Sequence, residues 1–256
     1  MRRLSRLLVA LISLLSAPLV DAGVLRVAVA SNFADVAREL APLFVKETGH
    51  NLLISSGSSG KLYSQIENGA PFEVLLSADT RIPAKVEASG LAVAGSRFVY
   101  AKGRLALWSA RPGLFGDGET YLRAAAFNHL AIANPKTAPY GLAAQQTLER
   151  LGLWQPLQGK LVQGESIAQA FQFAATGNAE AGLAALSQVR AWKGTPGSVW
   201  EVPAEFHAPI EQGAALLKKG EANPAAAAFL QFLKGETARQ VIRAHGYDDS
   251  RGIDAP

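Results

Sequence analysis

The chain has 256 residues, a formal charge of +4 from 25 Lys and Arg against 21 Asp and Glu, and no cysteine. Without cysteine there is no disulfide, no thiolate metal site, no cysteine nucleophile and no N-terminal cysteine for a lipid anchor. The sequence also contains no run of Lys or Arg, which argues against nucleic-acid binding.

Residues 1–22 are predicted to be a cleaved signal peptide. Three arginines fall among the first six residues, an apolar stretch runs from Leu7 to Leu19, and Ala22 ends a small-residue cleavage motif. The apolar stretch is shorter than the ~20 residues that a membrane-spanning helix needs. The mature protein is therefore expected to be soluble and exported to the periplasm, with no lipid anchor.

Predicted strands alternate with predicted helices through the rest of the chain. The strands are rich in β-branched and apolar residues, the helices repeat apolar residues at the helical period, and several helices end at glycine. This alternation predicts an α/β fold whose ligand lies beyond the carboxyl ends of the strands. Strands are predicted at 24–30, 51–55, 74–77, 130–133, 160–162 and 181–186, and helices at 33–48, 61–68, 142–151, 167–176, 225–234 and 237–245.

Two long extended segments interrupt this alternation. They run from Arg97 to Ser109 and from Phe206 to Leu217, and we interpret them as two crossings of the chain between two lobes. The predicted first lobe then comprises residues 23–102 and 208–256, and the predicted second lobe comprises residues 103–207.

Four turns share one kind of chemistry. Each follows a predicted strand, opens a helix and offers neutral hydrogen-bond donors. A helix N-terminus carries unpaired N–H groups and the positive end of the helix dipole, so several of them meeting at one point would bind an anion without a charged side chain. The turns are Ala30-Ser31-Asn32, Ser56-Gly57-Ser58-Ser59-Gly60, Pro139-Tyr140-Gly141 and Gly164-Glu165-Ser166-Ile167.

The glycine-rich turn around Ser59 does not fit two common catalytic motifs. A nucleotide phosphate loop needs Gly where this chain has Ser55, and Ser or Thr where it has Leu62. The turn also lacks the G-x-S-x-G elbow of serine hydrolases. A secreted hydrolase using Ser59, Tyr140 and a histidine is the alternative from another class, and it is disfavoured because no histidine lies near either residue in the sequence. The four histidines also lack the spacing of metal ligands: His50, His129, His207 and His245.

Taken together in order and spacing, six segments resemble the periplasmic molybdate-binding proteins of ABC molybdate transporters. The resemblance covers nearly the whole mature chain and implies a type II periplasmic-binding-protein fold. Such a fold has two α/β lobes, a mainly parallel sheet in each lobe and a ligand cleft between them. The segments are Val29–Asn32, Ser56–Leu62, Ala78-Asp79, Asn134–Gly141, Gly182–Val189 and Phe232–Gly235.

The resemblance also implies which residues hold the oxyanion. Ser31 and Ser59 would donate hydroxyl and backbone hydrogen bonds, with Asn32 contributing beside Ser31. Tyr140 and the backbone N–H of Ile167 would complete the shell from the second lobe. Molybdenum would be bound as its oxyanion, without direct ligation of the metal.

One exchange separates this chain from some members of the family. Those members carry alanine at the position of Tyr140 and tyrosine at the position of Ala185. The chain is similar to the other subgroup, in which the phenol of Tyr140 reaches the anion, and a contact from Ala185 is left open.

The resemblance implies a non-enzymatic monomer that binds molybdate, or also tungstate, and delivers it to a membrane permease with an ATPase subunit. No cofactor is expected. Molybdate, tungstate and sulfate are fully deprotonated and only accept hydrogen bonds, whereas phosphate keeps a proton part of the time and needs an acceptor. The candidate residues include no Asp or Glu. Binding of sulfate, thiosulfate or phosphate is the alternative within the same class.

Overall fold

The computed structural model describes residues 23–248, so the predicted signal peptide lies outside the described residues. The chain folds around two five-stranded sheets, with strand orders β2-β1-β3-β10-β4 and β7-β6-β8-β5-β9. The strands are β1 Val24–Ala30, β2 Asn51–Gly57, β3 Val74–Leu76, β4 Phe98–Gly103, β5 Leu105–Ser109, β6 Leu130–Ala133, β7 Leu161–Gly164, β8 Ala181–Ala185, β9 Ser198–Glu201 and β10 Ile210–Leu216.

Helices pack against both sheets, and short 3-10 turns complete several connections. The α-helices are α1 Ala34–Thr48, α2 Ser59–Glu67, α3 Arg81–Ala88, α4 Gly118–Ala124, α5 Pro139–Arg150, α6 Ile167–Ala175, α7 Leu186–Ala191, α8 Pro224–Lys234 and α9 Glu236–Ala244. The 3-10 turns cover Ser31–Phe33, Gln158–Lys160, Ala204–Phe206 and Lys218–Gly220.

The two sheets are built on the same plan. In the first, β1 pairs in parallel with β2 and β3, and β10 runs antiparallel between β3 and β4. In the second, β6 pairs in parallel with β7 and β8, and β5 runs antiparallel between β8 and β9. Four strands of each sheet therefore point the same way, as expected for a mainly parallel sheet. The reversed strand is in each case the one that arrives from the other sheet.

The chain crosses between the sheets where the two extended segments were predicted. Strand β4 ends at Gly103 in the first sheet, and β5 begins at Leu105 in the second. The return passes from β9 through the 3-10 turn at Ala204–Phe206 into β10. We refer to the parts around the first and second sheets as the first and second lobes. The predicted lobe boundaries at 102/103 and 207/208 stay predictions, because sheet membership alone does not assign the connecting residues.

Each lobe has its own hydrophobic core. In the first lobe α1, α8 and α9 cover one sheet face through residues such as Phe44 and Phe229, together with Phe33 of the 3-10 turn before α1. A smaller cluster under α2 and α3 covers the other face. In the second lobe α5 and α6 pack on the strands around Ile132 and Leu183. Because β1 and β6 are covered on both faces, all of β6 and residues 27–30 of β1 are apolar and almost completely buried, as is typical of strands in parallel sheets. Near the start of β1, Val24 and Arg26 are exposed.

Most predicted elements are confirmed, and the differences are local. The first strand and the strand at 130–133 have the predicted bounds, whereas α2 and α5 begin two and three residues earlier than predicted, at Ser59 and Pro139. Three helices were not predicted: α3, α4 and α7. They have only six to eight residues each, which gives too few turns for a helical period to show in the sequence.

Candidate anion-binding site

A small pocket lies between the lobes, where the carboxyl ends of the parallel strands face one another. Its volume is about 10 Å³, close to the smallest that holds one water-sized body. A pocket of this size has no room for a sugar or an amino acid. It is lined by Ala30, Ser31, Asn32, Gly57, Ser58, Ser59, Ala78, Ala138, Pro139, Tyr140 and Ile167.

The first part of the pocket wall is the 3-10 turn that follows β1. Strand β1 ends at Ala30, and the chain turns at once through Ser31 and Asn32 into α1. Both polar residues are buried, and the hydroxyl oxygen of Ser31 has no hydrogen-bond partner among the described residues. The hydroxyl is therefore free to donate to a ligand in the pocket.

The second part is the turn between β2 and α2. Ser59 is the first residue of α2 and is 1% exposed. Its hydroxyl oxygen accepts a 3.0 Å hydrogen bond from the amide N–H of Ala78, which fixes the side chain and leaves the hydroxyl hydrogen available. Ser58, the preceding residue, is also buried, and its hydroxyl oxygen has no partner in the described part of the chain.

The second lobe contributes the N-termini of two helices. Tyr140 is the second residue of α5, after Pro139 at the first position, and Ile167 is the first residue of α6. Backbone N–H groups in the first turn of a helix have no intrahelical acceptor. Gly141 allows α5 to approach the sheet, because a Cβ there would overlap the carbonyl group of Ala133 at the end of β6.

The pocket is electrically neutral apart from its helix termini. No Asp, Glu, Lys, Arg or His is among the lining residues found within 23–248. An ion pair between Lys61 and Glu165, at 2.8 Å, joins the two lobes, and both side chains are more than half exposed. Neutral donors together with the positive ends of helix dipoles suit an anion that only accepts hydrogen bonds.

The phenol of Tyr140 is buried where the first crossing passes the pocket. A Cβ on Gly103 would overlap the Tyr140 hydroxyl, and it would lie 2.9 Å from Nε2 of Gln212. The hydroxyl has no hydrogen-bond partner within the described chain. Burial, followed by the proximity of Tyr247 and Tyr100, raises the pKa of Tyr140 well above its usual value, so the phenol stays protonated and can donate.

The side chain of Asn32 is held from behind the pocket. Its Nδ2 donates to Oε1 of Gln212 at 2.8 Å and to the hydroxyl of Tyr247 at 2.9 Å. Both amide hydrogens are thus in use, and Oδ1 has no partner among the described residues. Asn32 therefore presents its backbone N–H, and not its side-chain amide N–H groups, as the donor available to an anion.

All five residues predicted to bind the oxyanion lie on the wall of this one pocket: Ser31, Asn32, Ser59, Tyr140 and Ile167. Their contact with an anion stays a prediction. Ser58 was missed, although its position beside Ser59 in the same polar turn was a usable signal. Ala185 is buried in β8 and is not among the lining residues.

The described residues contain nothing that favours the hydrolase or a directly ligated metal ion. No histidine of the described chain lines the pocket beside Ser59 and Tyr140. Over residues 23–248 we find no cluster of three or more His, Cys, Asp or Glu side chains arranged to hold a metal ion. Within the same residues, no helix has the length and apolar character needed to cross a membrane.

Two α/β lobes that enclose a small polar pocket define a solute-binding protein by architecture. Sequence comparison agrees: the profile of the family described as bacterial extracellular solute-binding protein matches residues 25–248. The chain therefore belongs to this family.

Individual proteins of high sequence similarity carry more specific names than the family does. The chain is 54% identical over 245 residues to the molybdate-binding protein ModA of Azotobacter vinelandii, covering 95% of this chain and 97% of the relative. It is 49% identical to ModA of Rhodobacter capsulatus, covering 88% of both chains. The solved periplasmic molybdate-binding protein of Azotobacter vinelandii superposes with a TM-score of 0.84 at 44% identity, covering 88% of this chain and 98% of that one. The family resemblance seen in the sequence is confirmed.

Proposed function

We propose that the protein binds molybdate, or also tungstate, in the pocket between its lobes and delivers it to an ABC-type import permease with an ATPase subunit. The observation that carries the proposal is the set of neutral donors from both lobes around one small pocket, in whose lining residues 23–248 place no charged side chain. The relatives at 54% and 49% identity are named for molybdate binding, which supports the choice among oxyanions.

The donors divide between the lobes. Ser31, Asn32 and Ser59 belong to the first lobe, whereas Tyr140 and Ile167 belong to the second. A ligand that bonds to both sets stabilises the closed arrangement of the lobes, and binding to the folded state raises stability by mass action. Molybdate should therefore raise the melting temperature and reduce the radius of gyration.

A calorimetric titration of the mature protein tests the proposal. Molybdate, tungstate, sulfate, thiosulfate and phosphate are titrated separately, and the expected result is saturable 1:1 binding that is tightest for molybdate or tungstate. Tighter binding of sulfate, thiosulfate or phosphate would contradict molybdate as the ligand and favour the alternative within the same class. An absence of binding by every oxyanion would contradict the function itself.

The remaining parts of the proposal follow from the same role. The protein acts in the periplasm after removal of residues 1–22, as a monomer, without a cofactor and without catalysing a reaction. Mass spectrometry of the exported protein tests cleavage after Ala22, and light scattering tests the monomer. A generic ester substrate that the protein hydrolyses, with loss of the activity in Ser59→Ala, would contradict the non-enzymatic role.

A further inference from the structure

The backbone carbonyl of Asn32 accepts two hydrogen bonds from residues that are far apart in the sequence. The hydroxyl of Ser187 donates to it at 2.9 Å, and so does the hydroxyl of Tyr247, also at 2.9 Å. The hydroxyl of Tyr247 also donates to the hydroxyl oxygen of Ser187 at 3.1 Å, so its single hydrogen is shared between these two acceptors. All three residues are at most 4% exposed, so these bonds are shielded from water.

The two donors come from different lobes. Ser187 is in α7, which follows β8 of the second sheet. Tyr247 packs into the core of the first lobe, where its ring meets that of Phe33 with centroids 5.6 Å apart. The carbonyl of Asn32 is therefore a point at which the second lobe contacts the turn that lines the pocket.

Within the first lobe, Asn32 is fixed without help from Ser187. Its side chain donates to both Gln212 and Tyr247, and Tyr247 also bonds to its carbonyl. Loss of the Ser187 hydroxyl would leave the carbonyl with one donor and orphan no buried acceptor. The hydrogen bonds that depend on the position of the second lobe are thus the two made by the Ser187 hydroxyl, one donated to Asn32 and one accepted from Tyr247.

We propose that Ser187 is a positioning residue for ligand retention: its bond to Asn32 forms when the lobes close and holds the pocket-lining turn in the closed arrangement. The inference rests on the proposed oxyanion-binding function. The hydrogen bond between Ser187 and Asn32 differs from the ion pair between Lys61 and Glu165. The side chains of that pair are more than half exposed, so the pair contributes little to the stability of the closed arrangement. A buried hydrogen bond between neutral groups contributes more, because water does not compete for it.

The role predicts a kinetic signature. Ser187→Ala should raise the dissociation rate of molybdate about three- to tenfold, the range expected for one lost neutral hydrogen bond. The association rate and the melting temperature of the ligand-free protein should be unchanged, since the open form does not contain the bond. Tyr247→Phe should also lower the ligand-free melting temperature, because it removes bonds to Asn32 within the first lobe in addition to the one to Ser187.

The test measures stopped-flow kinetics and thermal melts of the mature protein, with molybdate and, in parallel, with sulfate. The matched control is Ser109→Ala, a buried serine of the second lobe whose hydroxyl donates to the carbonyl of Glu180 at 2.6 Å, away from the pocket. The control should lower the ligand-free melting temperature and leave the dissociation rate unchanged. Ser187→Ala should show the opposite pattern.

Each outcome decides a separate point. If Ser187→Ala behaves like Ser109→Ala, the bond is present in the open form as well and the retention role is wrong. If the wild type binds sulfate and not molybdate, the proposed ligand is wrong, and the sulfate dissociation rates still decide the role of Ser187. If the wild type binds neither oxyanion, both proposals fall.

Discussion

The amide N–H of Gly60 donates a 3.0 Å hydrogen bond to the carbonyl oxygen of Thr137, and this bond joins the two lobes beside the pocket. Gly60 is the second residue of α2, and Thr137 precedes α5. A Cβ on Gly60 would lie 3.1 Å from that oxygen and 3.2 Å from the Cα of Thr137, closer than ordinary van der Waals contact. The lobes approach this closely because residue 60 has no side chain.

Gly60→Ala should therefore weaken molybdate binding by roughly tenfold, because the added methyl group separates the lobes at the mouth of the pocket. The same change should leave the ligand-free melting temperature unchanged or raise it slightly, since alanine is favoured over glycine in a helix by about 0.5–1 kcal/mol. Calorimetry and thermal melts check the two parts. Gly116→Ala is the control, because a Cβ there meets no atom within 4 Å. Undiminished affinity in Gly60→Ala would show that closure tolerates the extra volume.

Ser59→Asp should abolish molybdate binding while the protein stays folded. The carboxylate can still accept the hydrogen bond from the amide N–H of Ala78, so the turn keeps its support, but a negative charge then faces the dianion. Ser59→Ala should be milder, with a loss of ~1.5–3 kcal/mol for one hydrogen bond to a charged group. Circular dichroism checks the fold and calorimetry the affinity. Equal affinity of the wild type and Ser59→Asp would remove Ser59 from the binding site.

Ser58→Ala is the matched comparison for the neighbouring serine. The Ser58 hydroxyl is buried at the pocket without a partner in the described chain, and no amide N–H depends on it as Ala78 depends on Ser59. A loss of affinity without a loss of ligand-free stability would identify Ser58 as an additional donor. Unchanged affinity would leave Ser59 as the donor of this turn.

Tyr140→Phe should weaken molybdate binding by roughly ten- to a hundredfold, because it keeps the packing of the ring and deletes a donor inside a buried pocket. Calorimetry measures the loss. Wild-type affinity would mean that the hydroxyl is not a ligand and that Tyr140 contributes only its backbone N–H.

The glycine in the crossing provides an independent check on the phenol. Gly103→Ala places a methyl group where the Tyr140 hydroxyl lies, so it should displace the phenol and weaken binding. In the Tyr140→Phe background the worst overlap is gone, although Nε2 of Gln212 and the ring carbon Cζ are still 2.9 and 3.0 Å from the new Cβ. The two changes should therefore be less than additive. Full additivity would argue against a direct contact between residue 103 and the phenol.

The free energy of unfolding should decrease as the pH rises above about 10. Burial raises the pKa of Tyr100, Tyr140 and Tyr247 in the folded protein, whereas tyrosines of an unfolded chain titrate near pH 10. Above that pH the unfolded state loses protons that the folded state retains, so unfolding becomes more favourable. Urea denaturation at pH 8 and pH 11 measures the change, and Tyr100→Phe should reduce it. Equal stability at both pH values would contradict the raised pKa values.

The sequence was informative where function depends on short-range patterns. Ser31, Ser59, Tyr140 and Ile167 each stand at the start of a helix that follows a strand, and that arrangement is visible within a few residues. Parallel strands then bring their carboxyl ends to one edge of a sheet, so the polar turns had to lie near one another within each lobe.

The support for Asn32 was not predictable in this way. Its partners Gln212, Ser187 and Tyr247 lie 180, 155 and 215 residues away. Gln212 and Ser187 each stand in a mainly apolar stretch of the sequence, and such a stretch does not indicate which group a polar side chain bonds to. Whether the Asn32 amide faces the ligand or the protein interior depends on the hydrogen-bond partners behind it, which only the three-dimensional arrangement supplies.

A pocket without a charged wall has a consequence for release. The donors proposed to hold the anion are fixed parts of the backbone and neutral hydroxyl groups, and none of them needs to gain or lose a proton when the ligand enters or leaves. Because Tyr140 and Ile167 lie on one lobe and Ser31 and Ser59 on the other, separating the lobes withdraws half of the shell in a single movement. Opening the lobes is then sufficient for a bound dianion to leave, with no proton transferred.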